Sequence, residues 1–279
     1  MKNILITGVS SGIGRVTCEN LLEKGFIVFG SARKISSIKD LARKYGSNFI
    51  PLIFDITDKK AVMIAVKKDK NRLKNKNLDC LINNAGIVVG GPSILLQTEE
   101  FRKQFEVNFF GIITLTNALI KILGGDLKNP HKGKIINISS VSGKRALPFL
   151  APYAASKFAL EGYSDSLRRE LMMYGIDVIL VQPGPVKTPI WNKILSKKNN
   201  YFKISDYKNK LQIFRKISID NKKSGLDSKV ISNCIYKIIQ SKKPKTRYLI
   251  TRSYINYFLS RIIPDRILDR IIGKKLDLF

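Results

Sequence analysis

As far as Gly184 the chain switches at least six times between short apolar runs and segments with helical spacing. The runs "NILITG", "FIVFGSAR", "NFIPLIFDITD", "LDCLINNAG", "GKIINISS" and "IDVILVQPG" are apolar almost throughout, as strands are when both faces of their sheet are covered. Between them, segments such as "RVTCENLLEKG", "TEEFRKQFEVNFFGIITLTNALIKIL" and "APYAASKFALEGYSDSLRRELMMYG" carry apolar residues at helical intervals. That order predicts an α/β fold, a doubly wound parallel sheet with helices on both faces. Residues 190–224 are polar and weakly periodic and read as a mobile lid or an excursion over the sheet edge. A helix ("SKVISNCIYKII"), a strand ("RYLIT") and a basic amphipathic extension over 252–279 close the chain. No repeat or linker divides it, so residues 1–279 are expected to form one domain.

Composition excludes several kinds of chemistry. His131 is the only histidine, in a loop-like "LKNPHKGK" that reads as solvated, so a Ser-His-Asp triad is not expected. Cys18, Cys80 and Cys234 lie far apart and suggest buried, reduced thiols; no metal site is expected. No run reads as long enough to span a bilayer, and the first residues pass directly into a strand, so a cytoplasmic location is expected. The formal net charge of +29 admits a nucleic-acid or membrane partner, but lysines outnumber arginines 36 to 14. Bidentate phosphate and base recognition favours arginine, and with no recognisable reading motif no specific nucleic-acid partner is expected. The charge is uneven: residues 190–279 hold 22 basic and 6 acidic residues.

"TGVSSGIG" sets Gly8, Gly12 and Gly14 between the first strand and the first helix. Glycines there let the backbone approach a pyrophosphate, and the helix N-terminus offers free N–H groups and the positive end of its dipole. In that setting a dinucleotide site is favoured over a plain turn. Ser10, Ser11 and Ile13 share the same turn.

Several segments together resemble one family, the short-chain dehydrogenases/reductases. The glycine segment is similar to the family's TGxxxGxG, and "NNAG" (Asn83 to Gly86, including Asn84 and Ala85) to its fourth-strand motif. "ISSVSG" resembles its active-site serine segment, "YAASK" its YxxxK, and "PGPVKT" (Pro183, Gly184, Val186, Thr188) its loop over the nicotinamide. Asn108 in "FEVNFFG" falls where the family has an asparagine. Ser140 precedes Tyr153 by the 13 residues common in the family, which favours it over Ser139 and Ser142. The resemblance covers residues 3–190, and "PKTRYLIT" resembles the last strand of retinol and hydroxysteroid dehydrogenases.

What it implies is a Rossmann-type fold and an oxidoreductase that interconverts a carbonyl and an alcohol. Tyr153 is then the acid/base, Ser140 binds the substrate oxygen, Lys157 also holds the nicotinamide ribose, and Asn108 positions a water in a proton relay. A homodimer or homotetramer is the family's habit.

Chemistry gives the tyrosine and lysine a reason for their spacing. Residues i and i+4 share a helix face, so Tyr153 and Lys157 can enter one cleft. An ammonium beside a tyrosine, with an oxidised nicotinamide ring, stabilises the tyrosinate and lowers its pKa. Alone, "YAASK" would equally describe an ordinary helix with a half-buried tyrosine and a surface lysine.

The cofactor follows from the end of the second strand. NAD sites commonly place an acid there, and an arginine suits the 2′-phosphate of NADP. "FIVFGSARK" has no acid and offers Arg33, with Ser10 or Ser11 near enough to add a hydroxyl, so NADP (NADPH) is expected. Arg33 could also be one more surface cation. Asp55 and Ile56 resemble the residues around the adenine, although Asp55 as a helix cap accounts for it equally.

The substrate is expected to be a small, lipophilic carbonyl compound or alcohol. Phe149, Ile190, Trp191, Tyr201 and Phe202 read as a hydrophobic lining, or equally as core. Alternatives are a 3-ketoacyl-thioester reductase and, in another class, a non-catalytic NADP sensor or scaffold. The tail, in which Pro264 must interrupt or start a helix, reads first as a helix docking on the protein, closing over the substrate cleft or a subunit partner. A membrane-surface helix comes second and a loose end third.

Overall fold

A computed structural model describes residues 1–72, 77–190 and 205–279 of the chain. Asn3–Thr7 (β1) is buried along its whole length, and its side chains divide between two cores. Ile4 and Ile6 enter one cluster and Leu5 the other, as the two-residue period of a strand requires. The same holds for Ile27–Ala32 (β2), Phe49–Ile53 (β3), Cys80–Asn83 (β4), Lys134–Ile138 (β5) and Asp177–Pro183 (β6), whose apolar runs serve both faces. With Arg247–Ile250 (β7) they form a seven-stranded sheet in the order β3-β2-β1-β4-β5-β6-β7, and every pairing is parallel. The strand order reverses between β1 and β4, which opens a crevice at their C-terminal ends.

Helices cover both faces. On one side Gly12–Glu23 (α1) contributes Cys18, Leu21 and Leu22. On the other, Lys59–Arg72 (α3, after Lys39–Tyr45 as α2) contributes Val62 and Val66. Cys18 and Cys80 are buried free thiols and Cys234 is partly buried, as expected; burial pushes all three above the ordinary thiol range. His131 is half-buried rather than solvated, its ring nitrogen 2.9 Å from the Leu78 carbonyl.

The long helix expected over residues 98–123 is interrupted. Thr98–Phe105 (α4) runs into a π-helical turn at Glu106–Phe110 and continues as Gly111–Leu119 (α5). Contrary to the reading of the sequence, Thr98–Leu123 is long and apolar enough to cross a membrane by length and composition. Here Ile112, Leu115, Leu119 and Leu123 are buried in the fold, the behaviour of a core helix.

Ala151–Glu170 (α6) begins with Pro152 in its first turn, where the missing N–H costs nothing. The polar stretch after 190 holds a regular helix, Ser205–Ser224 (α7), with Leu211 and Phe214 buried. Its lysines had masked that apolar face. Trp191, Tyr201 and Phe202 lie outside the described residues. Ser228–Gln240 (α8), capped by Asp227 accepting from the Lys229 N–H at 2.8 Å, joins the α1 side of the core. Pro264 separates Tyr254–Ile262 (α9) from Asp265–Leu276 (α10), which it starts.

Candidate active site

The C-terminal ends of β1, β2, β4, β5 and β6 open into one cleft with a cavity of about 350 Å³, within the usual range for small-molecule sites. At the β1 end the turn into α1 is built for close approach. Gly8 and Gly12 have φ of +75° and +62°, conformations that disfavour any side chain. Gly14 serves packing instead: a Cβ there would lie 2.3 Å from both the Asn84 Nδ2 and the Gly8 carbonyl, and the residue does not line the cleft. Ser11 occupies the N-cap of α1 without a side-chain capping bond, and the first turn carries no acid. The helix end therefore faces the cleft with unpaired N–H groups, a cradle for an anion.

The loop Pro183–Thr188 folds back over this turn. Gly184 N–H donates to the Ile250 carbonyl at 2.8 Å, and Val186 forms a parallel bridge with Leu226. Thr188 comes so close to Gly12 that a Cβ on the glycine would meet it at 3.3 Å. Ser10, Ser11, Ile13, Arg33, Asp55, Ile56, Ala85 and Gly86 line the same cleft. Arg33 is exposed at the end of β2 and has no ion pair with any described residue. Asp55 does not cap a helix: its Oδ1 accepts from the Thr57 N–H and hydroxyl at 3.0 and 2.8 Å, while Asp58 caps α3 through the Ala61 N–H. Glycine cradle, uncapped helix end and free arginine together fit a dinucleotide with an extra phosphate.

Asn84 and Asn108 work on the scaffold. Asn84 Nδ2 donates to the Thr7 carbonyl at 2.8 Å, and the Thr7 hydroxyl accepts from the Asn84 and Ala85 N–H groups, which ties the β4 loop to β1. Asn108 is fully buried on the π turn, a feature that recurs at functional sites. Its Oδ1 accepts from the Ile87 N–H at 2.9 Å, and its Nδ2 donates to the Ile87 carbonyl and the Ser156 hydroxyl at 3.1 and 3.3 Å. That side-chain amide is bonded to protein groups.

Tyr153 and Lys157 lie one turn apart on α6 and both line the cleft, as does Ser140 at the end of β5. Lys157 Nζ donates to the Ile138 carbonyl at 2.7 Å and stands 5.9 Å from the centre of the Tyr153 ring. Burial pushes the lysine down to about 8, against the pull of Glu161. Burial also holds Tyr153 above the ordinary phenol value, opposed by a hydrogen bond with Ser140. In the folded chain itself, desolvation is the larger influence on Tyr153.

Two features escaped the reading of the sequence, one wholly and one in part. Glu161 is buried one turn beyond Lys157, its carboxylate accepting from Gln182 at 2.9 Å and from Arg247 at 3.1 Å, with Lys144 at 3.3 Å. The signal was present: Tyr153, Lys157 and Glu161 recur every fourth residue on one helix face. The other is the apolar wall. Val88, Leu147, Leu150 and Ile190 line the cleft and share a cluster with Tyr153, with Leu211 and Phe214 of α7, and with Ile272 and Leu276 of α10. Phe149 belongs to that core rather than to the lining: with φ of +66°, rare for a bulky residue, it packs edge-on against Tyr207 and Phe214. The inner side of the tail thus docks on the protein.

Residues 2–199 match the family described as short chain dehydrogenase. The chain belongs to that family. As a short-chain dehydrogenase it is an oxidoreductase, and its likeness to individual relatives extends over the full length. It is 41% identical over 277 residues to the NADPH-dependent 3-dehydrocapnine reductase of Ornithobacterium rhinotracheale, covering 99% of this chain and 98% of the relative. It is 36% identical over 245 residues to the 3-ketodihydrosphingosine reductase of Bacteroides thetaiotaomicron, covering 88% and 86%. A solved short-chain dehydrogenase from Streptomyces avermitilis shares the fold with a TM-score of 0.78 at 24% identity, covering 98% of this chain and 96% of the other.

Proposed function

We propose that this short-chain dehydrogenase is an NADPH-dependent reductase of a ketone on a lipophilic substrate, with Tyr153 as general acid. The observation that carries it is the position of Tyr153, whose ring stands in the apolar cluster of Leu150, Ile272 and Leu276 while Ser140 and Lys157 flank it. The names of the two relatives, a 3-dehydro and a 3-keto reductase, favour reduction of a ketone.

The glycine turn and the α1 N-terminus bind the pyrophosphate, and Arg33 binds the 2′-phosphate. When bound, NADPH supplies the hydride. Tyr153 donates its phenolic proton to the carbonyl oxygen, and the Ser140 hydroxyl donates a hydrogen bond to the same atom. Lys157, pushed down only to about 8, remains largely charged at neutral pH and stabilises the tyrosinate that proton transfer leaves. Asn108 is a positioning residue that fixes the β4 loop against α6. The apolar wall excludes water and binds the substrate's hydrocarbon part.

The test follows NADPH, and separately NADH, with a panel of aliphatic ketones and a ketoacyl thioester. The proposal expects ketone-dependent consumption of NADPH well ahead of NADH. Equal use of NADH would remove Arg33's role, and thioester-only turnover would transfer the chain to the acyl-thioester reading. Tight NADPH binding without turnover of any carbonyl would favour a sensor.

A further inference from the structure

The last two helices present an apolar face that the fold does not use. On α9, Tyr254, Ile255, Phe258, Leu259 and Ile262 are all exposed, Ile255 at 74% and Ile262 at 78%. Their spacing places them on one side of that helix. On α10, Ile267 and Ile271 follow one turn apart at 50% and 52% exposure. These large exposed side chains are grouped by helical spacing, unlike the scattered exposed leucine of an ordinary surface.

The exposure does not reflect a helix without a home. Ser260, Gly273 and Leu276 are buried and Ile272 packs in the substrate-side cluster, so the opposite faces of α9 and α10 already rest on the protein. Lys210 of α7 pairs with Asp277 at 3.2 Å and fastens the end. What remains outward is a docked scaffold with a bare apolar side.

Its polar border is basic. Arg252, Arg261, Arg266, Arg270, Lys274 and Lys275 are all exposed around the stripe. Arg266, Arg270 and Lys274 recur every fourth residue, one position before Ile267, Ile271 and Lys275, so a row of cations runs beside the apolar row. Exposed isoleucine and phenylalanine flanked by arginine and lysine is the composition of a helix that lies in a lipid interface, its cations reaching toward anionic headgroups.

We propose that the outer face of α9 and α10 docks on an anionic lipid surface. Charge decides between this occupant and a second copy of the chain. Two copies would bring +29 against +29, whereas an anionic bilayer attracts the same cations. Through Ile272 and Leu276 the other side of α10 belongs to the Tyr153 cluster, so the docked face and the substrate wall are two sides of one helix.

The experiment is flotation of the full chain with phosphatidylglycerol–phosphatidylcholine vesicles, and with pure phosphatidylcholine vesicles, at low and high salt. At least about a ten-fold preference for the anionic vesicles at low salt is expected, falling as salt rises. Ile255→Ser with Phe258→Ser and Ile262→Ser should abolish flotation while thermal unfolding and NADPH affinity stay as in the native chain. Arg266→Gln with Arg270→Gln should weaken it by about thirty-fold. No flotation of the native chain overturns the proposal. So does flotation that survives the triple substitution, because the general basic surface would then carry it. A dimer by light scattering that the triple substitution dissociates, without lipid binding, would assign the face to a second copy. None of these readouts involves catalysis, so the docking face stands or falls apart from the ketone reading.

Discussion

The two ends of the cleft are made of different material. At the β1 end the surface is largely backbone: Gly8 and Gly12 with positive φ, the uncapped start of α1, and the Pro183–Thr188 loop folded over them. At the far end it is side chain: Val88, Leu147, Leu150 and Ile190, backed by α7 and α10. A backbone site needs a few residues in fixed order, because local conformation does the binding. A side-chain wall needs only apolar volume, delivered from wherever the topology brings it. Tyr153 stands where the two meet, which is why one residue can couple a polar cofactor to an apolar substrate.

Substitutions can break this contrast at each end. The largest effect is expected at the junction: Tyr153→Phe should lower kcat by about 10²–10⁴-fold, the usual contribution of a general acid, with NADPH affinity unchanged in a fluorescence titration. Retained turnover would show that the proton comes from elsewhere. Next is the backbone end. Gly14→Ala forces a Cβ to 2.3 Å from Asn84 and the Gly8 carbonyl, and overpacking of this kind costs about 1–3 kcal/mol. It should lower Tm and weaken NADPH binding together; a stable, tightly binding variant would mean that the turn can shift.

Arg33→Ala should raise the KM for NADPH by about ten-fold, the scale of one charge-assisted contact, and leave that for NADH nearly unchanged. Equal effects on both cofactors would make Arg33 an unspecific surface cation. The smallest change is a displaced pH profile. Lys157 lies near 8 because burial pushes it down while Glu161 holds it up. Activity that needs the ammonium is lost as pH rises through that value. Glu161→Gln removes the supporting charge, so the descending limb of kcat/KM should move to lower pH. An unmoved limb with a lowered Tm would reduce Glu161 to a structural anchor for Arg247 and Lys144.

At the backbone end "TGVSSGIG" was readable because its glycines carry their own conformation, whereas "NNAG" and "PGPVKT" stood out by resemblance to the family. The parallel, doubly wound sheet followed from unbroken apolar runs separated by helical segments. Other features depend on contacts that no short window contains. Asp55 was ambiguous because turn closure and helix capping use the same residue types, and only the bonds to Thr57 distinguish them. The bonds of the Asn108 amide to Ile87 and Ser156 join segments far apart in the chain. The rise that burial gives Tyr153 was not legible, since burial is a property of the assembled cleft. The apolar wall was legible only in part: Ile190 was expected in it, but Val88 and Leu276 are separated by most of the chain.

The meeting of polar cradle and apolar wall at Tyr153 is tested most directly with a series of unbranched methyl ketones of increasing length at saturating NADPH. Each added methylene that reaches the wall should raise kcat/KM by about four-fold, as burial of about 0.8 kcal/mol implies, until the wall is filled. Leu276→Ala should flatten the rise without altering the KM for NADPH. A length-independent kcat/KM in the native chain would contradict the account, and would mean that the cluster around Tyr153 is core and not a binding wall.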